Sequence, residues 1–95
     1  MTTTASAVLK DPLGLHARPS VKLVKLAKTF DATVEIAADP EGPWTAAKSL
    51  IKVMKVKARH GTALHVRATG ADEAAAVAAL VELVEADFPE DGSDG

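Results

Sequence analysis

The sequence predicts an α+β domain in which one β-sheet is covered on one face by helices. Three observations lead there. Short segments of alternating side chains are interleaved with two longer segments of helical apolar periodicity, in the order β-α-β-β-α-β-α. The connections between them are short and carry Gly, Pro, Asp and Ser. The chain has 95 residues and is 47% hydrophobic, which suits one small domain with a two-layer core.

The first strand is expected over Ala5 to Leu9, before the Asp11-Pro12 turn signal. A helix follows from Ala17 to Thr29, with Pro19 tolerated in its first turn. Leu23, Leu26, Ala27 and Phe30 share a side and mark its core face, while Lys22, Lys25 and Lys28 cluster opposite. Val21 and Val24 are expected at the edge of that core face, beside lysines. Thr33, Val34, Glu35 and Ile36 place a half-buried strand within Ala32 to Ala38. The turn ADPEGP leads to a short strand over Trp44 to Ala47. Ser49 is a suitable N-cap for a brief helix reaching Val56, too short to persist without docking. Past Gly61, alternation of Leu64, Val66 and Ala68 with His65, Arg67 and Thr69 gives a strand over Ala63 to Thr69. The last helix begins at Gly70 to Glu73, with Asp72 and Glu73 at its positive end and Val77, Leu80, Val81 and Val84 as its apolar stripe.

Composition excludes several functions. The chain has no cysteine, which removes disulfides and thiolate chemistry and agrees with a reducing compartment. A formal charge of -2 gives no case for nucleic-acid binding. No apolar run approaches a membrane span, and the polar MTTTASAV start does not resemble a secretory signal. His16, His60 and His65 are too scattered to form a recognisable metal site, and no Gly-rich nucleotide loop is present. The domain is therefore expected to span residues 1–88. Residues 89–95, acidic and rich in Gly and Asp, read as a flexible tail.

The segment GLHARPS, Gly14 to Ser20, concentrates chemistry. A histidine at a helix start, where backbone N–H groups favour an anion, suits reversible phosphoryl transfer. His16 is the candidate nucleophile, and Arg18 offers a charge-assisted fork for phosphate. Gly14, Ala17 and Pro19 are supporting residues that shape the turn and the helix start. Read alone, HxRP fits an exposed or capping histidine without chemistry better than a phosphate site, and Arg18 has its own alternative as a surface salt-bridge residue. His60 and His65 read as ordinary surface histidines.

Together with AKSLIKVMKVKARHG, Ala47 to Gly61, this segment resembles the two signatures of the histidine-containing phosphocarrier (HPr) family of bacterial phosphotransferase systems. The resemblance spans nearly the whole chain up to the tail. It implies an open-faced β-sandwich: a four-stranded antiparallel sheet covered on one face by three helices. It further implies that His16 is phosphorylated by Enzyme I, the phosphoenolpyruvate-dependent enzyme, and passes the group to Enzyme IIA in sugar uptake. Ser49 falls at the regulatory position, implying a possible serine kinase/phosphorylase. The family's docking surface maps onto Val21, Val24, Leu50, Ile51 and Met54, with Lys25, Lys28, Lys48 and Lys52 as a basic rim. A cytoplasmic monomer without metal, cofactor or self-contained small-molecule catalysis is the corresponding expectation. Nitrogen control or dihydroxyacetone phosphorylation is the alternative pathway, and an interaction module without phosphorelay is the alternative class. Lys57 departs from the family, many of whose members have glycine there.

Overall fold

A computed structural model describes residues 2–11, 14–56 and 58–89. The elements are β1 (Thr2–Val8), α1 (Ala17–Ala27), β2 (Thr33–Ala37), β3 (Thr45–Ala46), α2 (Leu50–Met54), β4 (Ala63–Thr69) and α3 (Glu73–Glu85). The four strands form one antiparallel sheet in the order β1-β4-β2-β3. Element order and sheet agree with the sequence reading. Lys57 and residues 90–95 lie outside the described residues, so the expectations about that lysine and the acidic tail are not addressed by the structure.

Strand β4 is the centre of the design. Leu64, Val66 and Ala68 are buried, whereas His65 and Arg67 are half-buried on the other face. Its register with β2 sets Val34 and Ile36 beside those buried residues, completing the apolar floor. On the opposite face Arg67 Nε donates to Glu35 at 2.7 Å, and its guanidinium lies 4.2 Å from the centre of the Trp44 ring. Strand β1 runs further toward the N-terminus than expected, pairing in full from Thr2 with Thr69 to Val8 with Ala63. Threonine is polar, yet its branched side chain suits a pleated half-buried surface, so the strand extends back through this run.

Above the floor, α3 contributes Ala76, Val77, Leu80 and Val84. Helix α1 buries Ser20, Leu23, Val24 and Ala27, while Leu26 and Phe30 are only partly buried. These four follow i, i+3, i+4, i+7 spacing, so the true apolar arc is rotated from the one read in sequence. Val24 is thus a core residue and not an edge residue. The polar Ser20 at the head of the arc concealed it. Helix α2 is shorter than expected, ending at Met54, with Val53 fully buried as its anchor.

Two side chains clamp the corner between α1 and β2. Lys48 Nζ donates to the Phe30 carbonyl at 2.7 Å. The Asp72 carboxylate accepts from the Asp31 and Ala32 amides at 2.9 and 2.8 Å. Asp72 occupies the N-cap position of α3 but spends its side chain on this corner and makes no cap bond. The Asp31 amide is the main influence holding this carboxyl below its ordinary value of 3.8. Burial opposes it, and the Ala32 amide and nearby Lys48 assist. A carboxyl depressed in the folded state contributes stability above its unfolded value and loses it as pH falls through the folded one. The wild type is therefore expected to be more stable than Asp72→Asn at neutral pH, with the gap in urea midpoint closing below about pH 4. A gap independent of pH would contradict this role.

Candidate functional site

The loop between β1 and α1 is fixed by its backbone. Leu9 is buried, donates its amide to the Thr62 carbonyl at 3.0 Å and accepts from Gly61 at 2.8 Å. The Asp11 carbonyl accepts from the Gly14 amide at 2.8 Å, and Leu15 donates to Ala58 at 3.0 Å. Gly14 has φ +69 and lies directly against the backbone of Ala58 and Arg59. A Cβ there would collide with the Ala58 carbonyl oxygen, so glycine is required by both conformation and space.

These contacts deliver His16 to the N-cap position of α1, with extended backbone and no side-chain cap bond. Its carbonyl accepts from the Ser20 amide at 3.0 Å. The imidazole is about one-third exposed (32%). Its Nε2 lies 3.2 Å from Oδ2 of Asp11, whose side chain is 27% exposed. The ring lines an open cavity of about 170 Å³ with Asp11, Arg18, Pro19, Lys22, Asp87 and Phe88. Ala17 and Arg18 are exposed and Pro19 is buried in the first turn. Lys22 Nζ donates to the carbonyls of Phe88 and Pro89 at 3.1 and 3.0 Å, tying α1 to the end of α3. The cavity thus joins an imidazole, two cations, two carboxylates and a helix N-terminus, and the cations and the helix start are groups that favour an anion within solvent reach.

Sequence reasoning placed His16, Arg18 and Pro19 together but missed Asp11, Lys22 and Asp87. In the sequence Asp11 reads only as part of the Asp11-Pro12 turn signal. Its pairing with His16 crosses a glycine turn, where no helical or strand spacing rule applies. Asp87 and Phe88 reach the cavity through a left-handed ending to α3, with φ of 61 and 50, which a Pro and acidic run did not signal.

A second surface is formed by exposed Val21, Leu50, Ile51 and Met54 on α1 and α2, which pack together. Ile51 is 72% exposed, which is unusual enough for a large aliphatic side chain to mark a contact patch. Lys25, Lys28 and Lys52 are exposed around it. Two expected members drop out. Val24 is 5% exposed because α1 packs between α2 and α3, and Lys48 is half-buried with its ammonium on the Phe30 carbonyl. Ser49 is half-buried at the N-cap of α2, and its hydroxyl accepts from the Lys52 amide at a long 3.4 Å. Among the described residues no group of three His, Cys, Asp or Glu is placed to hold a metal ion, and no described helix is long and apolar enough to cross a membrane.

Residues 3–86 match the family model described as the PTS HPr component phosphorylation site. The phosphocarrier protein NPr of Escherichia coli K12 is 37% identical over 96% of this chain and 100% of its own length. The phosphocarrier protein HPr of Mycoplasma genitalium is 39% identical over 83% of this chain and 89% of its own. Among solved structures, HPr from Thermoanaerobacter tengcongensis superposes with a TM-score of 0.82 at 30% identity, covering 94% of this chain and 98% of that one. A Mycoplasma histidine-containing phosphocarrier protein does so with 0.80 at 29%, covering 94% and 100%. The chain belongs to the HPr family of phosphocarrier proteins of the phosphotransferase system.

Proposed function

We propose that His16 is the phosphoryl acceptor and donor of this carrier, charged by Enzyme I from phosphoenolpyruvate and discharged to an Enzyme IIA protein or domain. The observation that carries this reading is the placement of the imidazole at the α1 start in an open cavity shared with Arg18. A neutral ring nitrogen attacks phosphorus, and the phosphoryl oxygens lie where a helix N-terminus and a guanidinium stabilise negative charge. Because the site is shallow, each partner completes it, and the carrier needs no substrate pocket of its own. The test is transfer from phosphoenolpyruvate and Enzyme I, followed by intact mass at neutral or alkaline pH. Absence of a phosphorylated product at saturating Enzyme I would reject the reading.

Sugar uptake is one route for this carrier, and nitrogen control is a second. Relatives named phosphocarrier protein NPr align over 96% of this chain and all of their own length, which favours the second route. Phosphorylated carrier offered in parallel to IIA proteins of the two systems discriminates between them by the faster transfer.

Docking is assigned to the exposed Val21, Leu50, Ile51 and Met54 with their lysine rim. Ile51→Asp and Met54→Asp are expected to weaken affinity for Enzyme I by roughly tenfold or more, the scale of an interface residue worth about 1.4 kcal/mol or above. The fold should persist, since neither side chain is buried. Wild-type affinity in both variants, measured by titration calorimetry, would exclude this surface. Phosphorylation of Ser49 fits the same reading. It adds charge at the head of α2 beside exposed Leu50 and Ile51, so it inhibits docking without unfolding the domain.

A further inference from the structure

We infer that Asp11 is a positioning residue that fixes the tautomer of His16 and so selects the ring nitrogen that carries the phosphoryl group. This rests on His16 being the phosphoryl acceptor. The starting observation is the 3.2 Å contact between His16 Nε2 and Asp11 Oδ2. An ionised carboxylate only accepts hydrogen bonds, so Nε2 carries the hydrogen and Nδ1 keeps its lone pair.

The contact is built into the loop at both ends. Asp11 follows Leu9, whose amide and carbonyl are both tied to the Gly61–Thr62 turn, and its own carbonyl holds the Gly14 amide. His16 follows Leu15, whose amide is tied to Ala58, and is itself the N-cap of α1. Both side chains are about two-thirds covered, which strengthens their interaction relative to a pair in open water. Arg18, Lys22 and Asp87 are the other charged groups lining the cavity. Lys22 directs its ammonium to the Phe88 and Pro89 carbonyls.

The chemical step then needs no proton movement within the carrier. The Nδ1 lone pair forms the N–P bond as the bond from phosphorus to the donor atom of Enzyme I breaks, and that donor keeps the electron pair. The ring becomes a phosphorylated imidazolium, with its proton still on Nε2, and the Asp11 carboxylate offsets the new positive charge. Discharge reverses this: the N–P bond breaks, its electron pair returns to Nδ1, and the acceptor nucleophile takes the phosphoryl group. Asp11 acts as the carboxylate partner does in other histidine-centred sites, orienting the ring and stabilising its cationic form without itself taking the proton.

The test compares wild type, Asp11→Ala and Asp11→Asn. Nitrogen-15 spectra at alkaline pH, where the ring is neutral, read the tautomer of His16 with no partner present. The Nε2–H form should dominate in wild type and in Asp11→Asn, whose amide oxygen still accepts, and should give way to a mixture in Asp11→Ala. Phosphoramidate, a small phosphoryl donor that requires no docking, then reads ring reactivity. The rate at His16 should fall about tenfold in Asp11→Ala, on the scale of one charge-assisted hydrogen bond, with Asp11→Asn between the two. A dominant Nδ1–H tautomer in wild type would overturn the inference, as would a wild-type rate in Asp11→Ala. Failure of the carrier reading is separately visible, because it appears only with Enzyme I and phosphoenolpyruvate.

Discussion

Replacing His16 with alanine is expected to abolish phosphoryl uptake from Enzyme I while leaving the domain folded. The side chain makes no cap bond, so its removal forfeits the contact with Asp11, in which both partners are about two-thirds covered. Loss of one such contact costs on the order of 1 kcal/mol, too little to unfold a domain of this size. Neither remaining histidine can substitute. His60 is exposed in the turn before Gly61, and His65 lies on β4 between Ser6 and Ala37, on the face of the sheet away from α1. Intact mass after incubation with Enzyme I and phosphoenolpyruvate reads the result, with circular dichroism confirming the fold. A phosphorylated His16→Ala protein would remove His16 from its assigned role.

The second large effect is expected at Gly14, which joins fold to chemistry. Gly14→Ala introduces a side chain where φ is +69 and where the added carbon meets the Ala58 carbonyl oxygen. The left-handed conformation alone is strained by about 1–3 kcal/mol in a non-glycine residue. The collision is with backbone, so it cannot be relieved by a rotamer change. Relief requires the 14–16 loop to part from Ala58, which displaces both His16 and the Leu15 amide bond. The urea midpoint should fall, and transfer from Enzyme I should fall further than the folded fraction does. Transfer at the wild-type rate in a variant with an unchanged midpoint would show that the loop tolerates the side chain.

Much of this arrangement was legible because it is local. Alternation of Leu64, Val66 and Ala68 located β4 to the residue. GLHARPS announced the helix start, the required glycine and the candidate nucleophile together. What escaped depends on tertiary contacts. The rotated arc of α1 places Val24 in the core because helices pack on both of its sides, and a buried serine interrupts the apolar pattern that would have revealed it. Lys48 reads as part of a basic rim, yet its partner is a carbonyl eighteen residues away in the chain. Asp11 reads as a turn residue because its contact with His16 is set by loop geometry. The extent of β1 was concealed by threonine, which is polar but has a branched side chain that suits a strand.

The most direct measurement is the site of phosphorylation in the unmodified protein. Wild type incubated with Enzyme I and phosphoenolpyruvate should gain a single phosphoryl group. Fragmentation without acidic work-up should locate it on His16, and phosphorus–nitrogen coupling should place it on Nδ1. A phosphoryl group on His60, His65 or Ser49 under these conditions, or no mass gain at all, would contradict the account.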